Sequence, residues 1–293
     1  MSLYAFKAIF SDFSLRKSAI KNLQNSYSKE KEDKVRMEFA EAFVDWLYDY
    51  DNNRAPGVTC VTAIRDFLNS EMKTGLEGTN FNSKGCGANM RNPWFGLLPF
   101  SETEIAQLSV IQSSVTHYHP LALSSSALTA LVIKGLISGD VVPGSGRVYE
   151  YTLTKVNELL ASDLSVFPPA YYVGLKDLKT FLIKSKPNME EFNSSKVTDD
   201  ICSFLGEGKV AEEALLLAIA AVDSYEDNAI EGLRRLVLSS GDTDSIAAIA
   251  GAFFGAAYGV AIWPEDWFSK LETRYQSELD EAIVEMNHLT RAS

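Results

Sequence analysis

Four consecutive residues, Asp242, Thr243, Asp244 and Ser245, set two carboxylates and two hydroxyls at the head of a run that stays uncharged through Gly259. Such oxygens are the hard ligands that Mg²⁺ or Ca²⁺ prefers, and an Asp-x-Asp step lets both acids converge on one ion where the backbone turns between them. The same residues suit the first turn of a helix, where their oxygens accept from free N–H groups and acids meet the positive helix end. A cap needs only one of them, so from the residues alone a helix start and a cation site both stand. Two other stretches carry reactive side chains. His117 and His119 form a His-x-His pair, but no third soft ligand stands at usable spacing, so zinc is not expected. Gly-Glu-Gly-Lys at 206–209 lacks the spacing of a phosphate loop and the Ser/Thr after its Lys, and reads as a turn leading into a helix.

Helices must hold these groups. Phe39, Phe43, Trp46, Leu47 and Tyr50 recur at three- and four-residue steps, one apolar face of a helix. Similar patterns span 103–115, 121–137, 173–184, 210–222, 225–238, 243–262 and 265–289, whereas alternating strand patterns are few and short. The chain therefore reads as all-α. Turns fall at 51–57, 82–96, 138–146 and 185–191; none is long or biased enough for a linker, and no fixed-period repeat is visible, so residues 1–293 are read as a single compact multi-helix domain. After the acidic cluster, Ala247, Gly251, Gly255 and Gly259 put a small residue every four positions. Glycine inside a helix costs on the order of 1 kcal/mol against alanine, so this stripe predicts a neighbouring helix in close approach.

The 293 residues are 46% hydrophobic and 23% charged, as expected of a folded globular chain. A formal charge of −12 with no Lys/Arg cluster excludes a broad nucleic-acid-backbone reader, since that affinity comes from neutralising phosphates. Cys60, Cys86 and Cys202 are odd in number and scattered, which argues for neither a disulfide framework nor a metal knuckle and places the chain in a reducing cytoplasm. The N-terminal stretch has no signal-peptide h-region, and no window reads as a membrane span. A soluble monomer or weak dimer, with no membrane partner, is the expectation.

Beyond these residue-level readings, "GDTDSIAAIAGAFFGAAYG" followed by "IWPEDWFSKLE" resembles the C-terminal signature of the ADP-ribosylglycohydrolase family, with its Gly-Asp-(Thr/Ala)-Asp-(Thr/Ser) metal motif. Upstream, "GEGKVAEEALLLAIAAVDSYEDNAIEGLRRLVLSS" is similar to the two helices before that motif, and "GCGANMRNPWFGLLPF" to the family's Gly-rich segment ending in Met-Arg…Pro. "SSVTHYHPLALSSSALTALVIKGLISG" resembles its Thr-His helix start, and "FVDWLYDYDNNRAPGVTCVTAIRDFL" its Trp helix and Pro-Gly turn. The resemblance covers roughly residues 39–272. It implies an all-α fold, Mg²⁺ as cofactor, and hydrolysis of the glycosidic bond joining ADP-ribose to a side chain or small molecule. By the same resemblance Asp242, Asp244 and Ser245 are metal ligands, Asp242 is also catalytic, Gly85, Gly87, Ala88, Asn89 and Met90 form a loop beside the diphosphate, and His117 faces the substrate.

The N-terminal third departs from the pattern. The glycine-rich first helix that the resemblance implies, reading about Gly-Asp-Ala-Leu-Gly, is missing or diverged here. Of two alignments, the better one sets "SDFS" (Ser11–Ser14) on the family's Thr-Asp-Asp-Thr, which makes Asp12 a metal ligand and catalytic residue and puts Phe13 in place of the second acid. Either alignment removes at least one metal carboxylate, so one Mg²⁺ ion is expected rather than two. A relative that binds ADP-ribose without cleaving it, or that serves a structural role, is the alternative to a hydrolase.

Overall fold

The computed structural model describes residues 1–10, 29–51, 55–70, 83–195 and 200–292, and among these no β-strand is present. In order, the helices are α1 (Ser2–Phe10), α2 (Lys29–Leu47), α3 (Val58–Asn69), α4 (Pro93–Gly96), α5 (Glu102–Ser114), α6 (Pro120–Ser138) and α7 (Arg147–Ala161). They continue with α8 (Pro169–Ser195), α9 (Cys202–Leu205), α10 (Ala211–Ser224), α11 (Ala229–Val237), α12 (Thr243–Tyr258), α13 (Glu265–Ser269) and α14 (Thr273–Ala292). The all-α expectation is met.

The centre is built from helices that are buried on nearly every side. In α6, Pro120 supplies the fixed φ of a first helical residue and the Nδ1 of His119 accepts the Leu121 N–H at 3.2 Å. The helix stops at Gly139, whose φ of 78° is the left-handed conformation that glycine adopts without cost. Between these ends α6 is long and apolar enough to cross a membrane, which differs from the sequence reading; here it lies in the interior against α5, α8 and α12. α10 is buried along nearly its whole length and packs on α12 and on α6. Burying apolar area of this extent is the main favourable term in folding. Around this layer α7 presents Val148, Tyr149, Thr152, Val156 and Leu159 inward, the one-sided pattern of a surface helix. Its N–H groups at Val148 and Tyr149, with that of Gly144, donate to the buried Asp223 at the end of α10.

Several elements differ from the sequence reading. Helix α7 is absent from it, because Val, Tyr and Thr have the look of strand residues until Leu159 and Val156 find a core face. The turn expected at 185–191 is helix: α8 runs through Pro187, and the burial of Met189 and Phe192 offsets the roughly 3 kcal/mol that an interior proline costs. The pattern at 243–262 breaks at Gly259, which has φ 76°, and that at 265–289 divides into α13 and α14.

Candidate functional site

One stretch of backbone, 207–211, holds both halves of the site. The Asp242 N–H donates to the Glu207 carbonyl at 2.8 Å, which docks the start of α12. On its other side the Cys86 N–H donates to the Lys209 carbonyl at 3.2 Å, and the Ala211 N–H donates to the Lys84 carbonyl at 2.8 Å. Gly241 is glycine because a Cβ there would sit 2.5 Å from the Glu207 carbonyl oxygen. The 206–209 turn leads into α10, as its sequence suggests, and is also the common anchor of the acid pair and of the 3₁₀ turn Cys86–Arg91.

These elements border a cleft of about 1190 Å³. One wall is a face of α12 on which Asp244, Ala248, Ala252, Gly255 and Ala256 follow at helical spacing below Asp242. Of the small-residue stripe Ala247, Gly251, Gly255 and Gly259, only Gly255 borders this cleft. A Cβ added at Gly251 would have only Leu233 Cδ2 within reach, at 3.9 Å, and one at Gly255 only Trp263 Nε1, also at 3.9 Å, so among the described residues no helix approaches closely there. Small side chains on the cleft face leave the wall open instead.

At the head of α12, burial raises the pKa of Asp242, and the hydrogen bond and negative charge of Asp244 raise it further. Ser245, buried, lies beside them and completes a set of hard oxygens. The Cys86 thiol donates to Asp242 Oδ2 at 3.3 Å. Burial pushes that thiol up to about 12, with the charge of Asp242 adding to the shift, so it is protonated at neutral pH and unsuited to nucleophilic attack. Among the described residues no group of three His, Cys, Asp or Glu side chains is placed to hold a metal ion.

The Gly-rich turn splits the set expected to meet a ligand. Gly85, Gly87 and Met90 border the cleft together with His117. Both glycines suit the histidine, since a Cβ on either would come to 3.3 Å from the imidazole. Ala88 and Asn89 are instead fully buried. Asn89 Nδ2 donates to the Ala211 carbonyl at 2.9 Å and its Oδ1 accepts from Ser126 Oγ at 3.0 Å, so this side chain ties the turn to α10 and α6. Asp12, expected as a ligand and catalytic residue, and Phe13 lie outside the described residues.

His117 contacts Thr116 Oγ1 through Nδ1 at 2.7 Å, and burial with the nearby Arg91 charge pushes its pKa down to about 3. Arg91 was visible in the sequence only as part of a motif. It is fully buried and donates to Gln112 Oε1 at 2.9 Å, the Gly87 carbonyl at 3.1 Å and Thr116 Oγ1 at 2.8 Å, with its guanidinium 4.9 Å from the Phe43 ring centre. Burial lowers its pKa. His119 is spent on the α6 cap, so the His-x-His pair does not converge.

A second acid pair borders the cleft elsewhere. Asp49 and Asp51, just past α2, receive Arg274 from the start of α14: Nη1 reaches Asp49 Oδ1 at 2.8 Å and Asp51 Oδ2 at 3.0 Å, and Nη2 bonds Asp49 Oδ2. Tyr4 also donates to Asp49. These bonds, chiefly those of Arg274, hold the Asp49 carboxyl well below the usual carboxylate range. The only sequence signal for this pair was its own Asp-x-Asp spacing.

Comparison with known proteins agrees with the motifs. A model of the ADP-ribosylglycohydrolase family matches residues 14–292. The chain is 27% identical over 273 residues to the human ADP-ribosylhydrolase ARH3, spanning 88% of this chain and 73% of that protein. It is 23% identical over 290 residues to ADP-ribosylhydrolase ARH1 of Dictyostelium discoideum, spanning 86% and 73%. A solved structure described as an ADP-ribosylglycohydrolase-related protein complex superposes with a TM-score of 0.57 at 18% identity, covering 92% of this chain and 77% of that one, a likeness of fold.

Proposed function

Because the chain belongs to the ADP-ribosylglycohydrolase family, we propose that its cleft binds the ADP-ribosyl group and hydrolyses the glycosidic bond joining it to a protein side chain or small molecule. The observation that carries this reading is the meeting, in one cleft, of the acid-bearing head of α12, the Gly85–Met90 turn and His117. Glycosidic cleavage passes through an oxocarbenium-like state, which needs carboxylates and a positioned water on the sugar. Asp242 suits the second task, since a carboxylate whose proton affinity is raised by burial and by Asp244 is better matched to taking a proton from water.

Asp242, Asp244 and Ser245 also fit a hard cation, because two acids that disfavour each other's charge are relieved by a dication between them. Mg²⁺ held there would polarise a water or the ribose hydroxyls. One ion completed by water matches this donor set better than a pair. The protein's other contributions are its own: open Cα positions at Gly85 and Gly87 beside His117, and a small-residue wall that leaves space along α12.

A second reading, a relative that binds ADP-ribose without cleaving it, is favoured by one observation: among the described residues the head of α12 offers two carboxylates and no third ligand of the same kind nearby. Calorimetric titration with ADP-ribose, with and without Mg²⁺, together with release of ADP-ribose from ADP-ribosylated protein, separates the two. Binding with Mg²⁺-stimulated release supports the hydrolase, and binding without release supports the second reading. No heat at millimolar ADP-ribose in either condition overturns both.

A further inference from the structure

We propose that Arg91 is a positioning residue: acting through Thr116, it fixes His117 as the Nε2–H tautomer, a standing hydrogen-bond donor to a hydroxyl or phosphoryl oxygen of the ligand in the cleft. The ligand part rests on the ADP-ribosyl reading above; the tautomer does not.

The inference follows from counting hydrogens. A guanidinium can only donate, so Thr116 Oγ1, 2.8 Å from the Arg91 Nη2, is an acceptor in that bond. The Thr116 hydroxyl has one hydrogen of its own, and the side chain is fully buried. His117 Nδ1, at 2.7 Å, is the acceptor within its reach. Were Nδ1 protonated instead, two donors would converge on one oxygen and the hydroxyl hydrogen would be left buried and unpaired, the arrangement that folded interiors avoid. Nδ1 therefore accepts, and a neutral imidazole with Nδ1 accepting carries its proton on Nε2. The ring stays neutral at physiological pH because burial and the Arg91 charge both oppose its protonation.

The rest of the geometry aims that proton. His117 borders the cleft, and the missing side chains of Gly85 and Gly87 leave open the ground beside Nε2 and Cε1, which a Cβ at either position would approach to 3.3 Å. Arg91 holds the opposite side of the same feature through the Gly87 carbonyl at 3.1 Å, and it is itself locked by Gln112 and Phe43. One guanidinium thus sets both the turn and the histidine tautomer. A ring so arranged donates through Nε2, so it serves neither as a general base nor as a metal ligand at that nitrogen.

Long-range ¹H–¹⁵N NMR of the imidazole nitrogens at pH 7, on the apo protein, tests the tautomer directly; the chain has 3 histidines, and H117Q assigns the signal. The wild type should show Nδ1 unprotonated and Nε2 protonated. Thr116→Ser should keep that signature, whereas Thr116→Val should move both nitrogens toward the average of two tautomers. ADP-ribose should shift the Nε2 resonance of the wild type, and should bind Thr116→Val roughly three- to tenfold more weakly than Thr116→Ser. An Nδ1–H or imidazolium signature in the wild type, which needs no variant to fold, overturns the relay, as does a Thr116→Val spectrum unchanged from wild type. If the tautomer is as stated but saturating ADP-ribose leaves Nε2 unmoved, the contact with the ligand is overturned while the relay stands.

Discussion

Two Asp-x-Asp pairs border the same cleft and are electrostatic opposites. At Asp49 and Asp51, Arg274 hydrogen-bonds both acids and holds Asp49 well below the usual carboxylate range. At Asp242 and Asp244 the nearby Lys209 is bonded to Glu207 at 2.5 Å, and Asp242 is raised by burial and by its neighbour's charge. Identical spacing thus yields one pair that fastens helices together and one that is held in tension. Spacing sets which acids can meet; the partner across the fold decides what they do. Acids already satisfied by a guanidinium have little to offer a cation or a water, whereas acids that repel one another gain from either.

Substituting one member of each pair gives the largest contrast. Asp242→Asn should lower kcat/KM for ADP-ribosyl hydrolysis by about 100-fold or more, the scale seen when a group serving the transition state is lost. In metal-free buffer its melting temperature should equal or exceed that of the wild type, because repulsion with Asp244 is relieved. Asp49→Asn should do the reverse, melting earlier and retaining most turnover. Equal losses of activity in the two variants would mean that the pairs do not differ as described.

The pairs should also differ in the sign of their pH dependence. The folded-state pKa of Asp49 is depressed, so its stabilising contribution is complete above the ordinary value of 3.8 and disappears as pH falls through the depressed one. For Asp242 the folded-state pKa is raised, so its contribution is present below 3.8 and is lost as pH rises through the raised value. Denaturant unfolding between about pH 3 and 8 should therefore show Asp242→Asn gaining on the wild type toward neutrality, and Asp49→Asn losing there while converging with it in acid. His117 adds an acid-side loss common to both variants: its contribution is full above 6.5 and fades as pH falls toward about 3.

A milder probe is the metal. Mg²⁺ at about a hundred times its dissociation constant should stabilise the wild type by about 2.7 kcal/mol, and Asp49→Asn equally, as read by thermal unfolding. Asp242→Asn should lose most of that gain. An equal gain in all three proteins would place the ion elsewhere.

The smallest effect on stability is expected at Gly255, which shares the cleft wall with Asp244. With Trp263 Nε1 at 3.9 Å as the one described atom near a Cβ there, Gly255→Leu should change stability by less than about 1 kcal/mol while weakening ADP-ribose binding in calorimetry. A large fall in melting temperature would restore the tightly packed helix face that the stripe suggested.

Much of this molecule was legible in its sequence where the controlling interactions are local. Helical class, the helical spans 103–115 and 121–137, and the acid-headed run at 242–259 depend on neighbours within about four residues, and each motif that marks the family is itself a local string. What remained hidden depends on residues distant in the chain. Asp49 and Arg274 are 225 positions apart, Asn89 is turned inward by Ala211 and Ser126, and Pro187 is tolerated because Met189 and Phe192 find a core. Sequence alone determined which groups could carry charge, protons or a cation. Tertiary structure decided which of them are neutralised, which are buried beside glycine and which stay open to a ligand, because burial and the partner across the fold, not residue type, set the free energy of an ionised group.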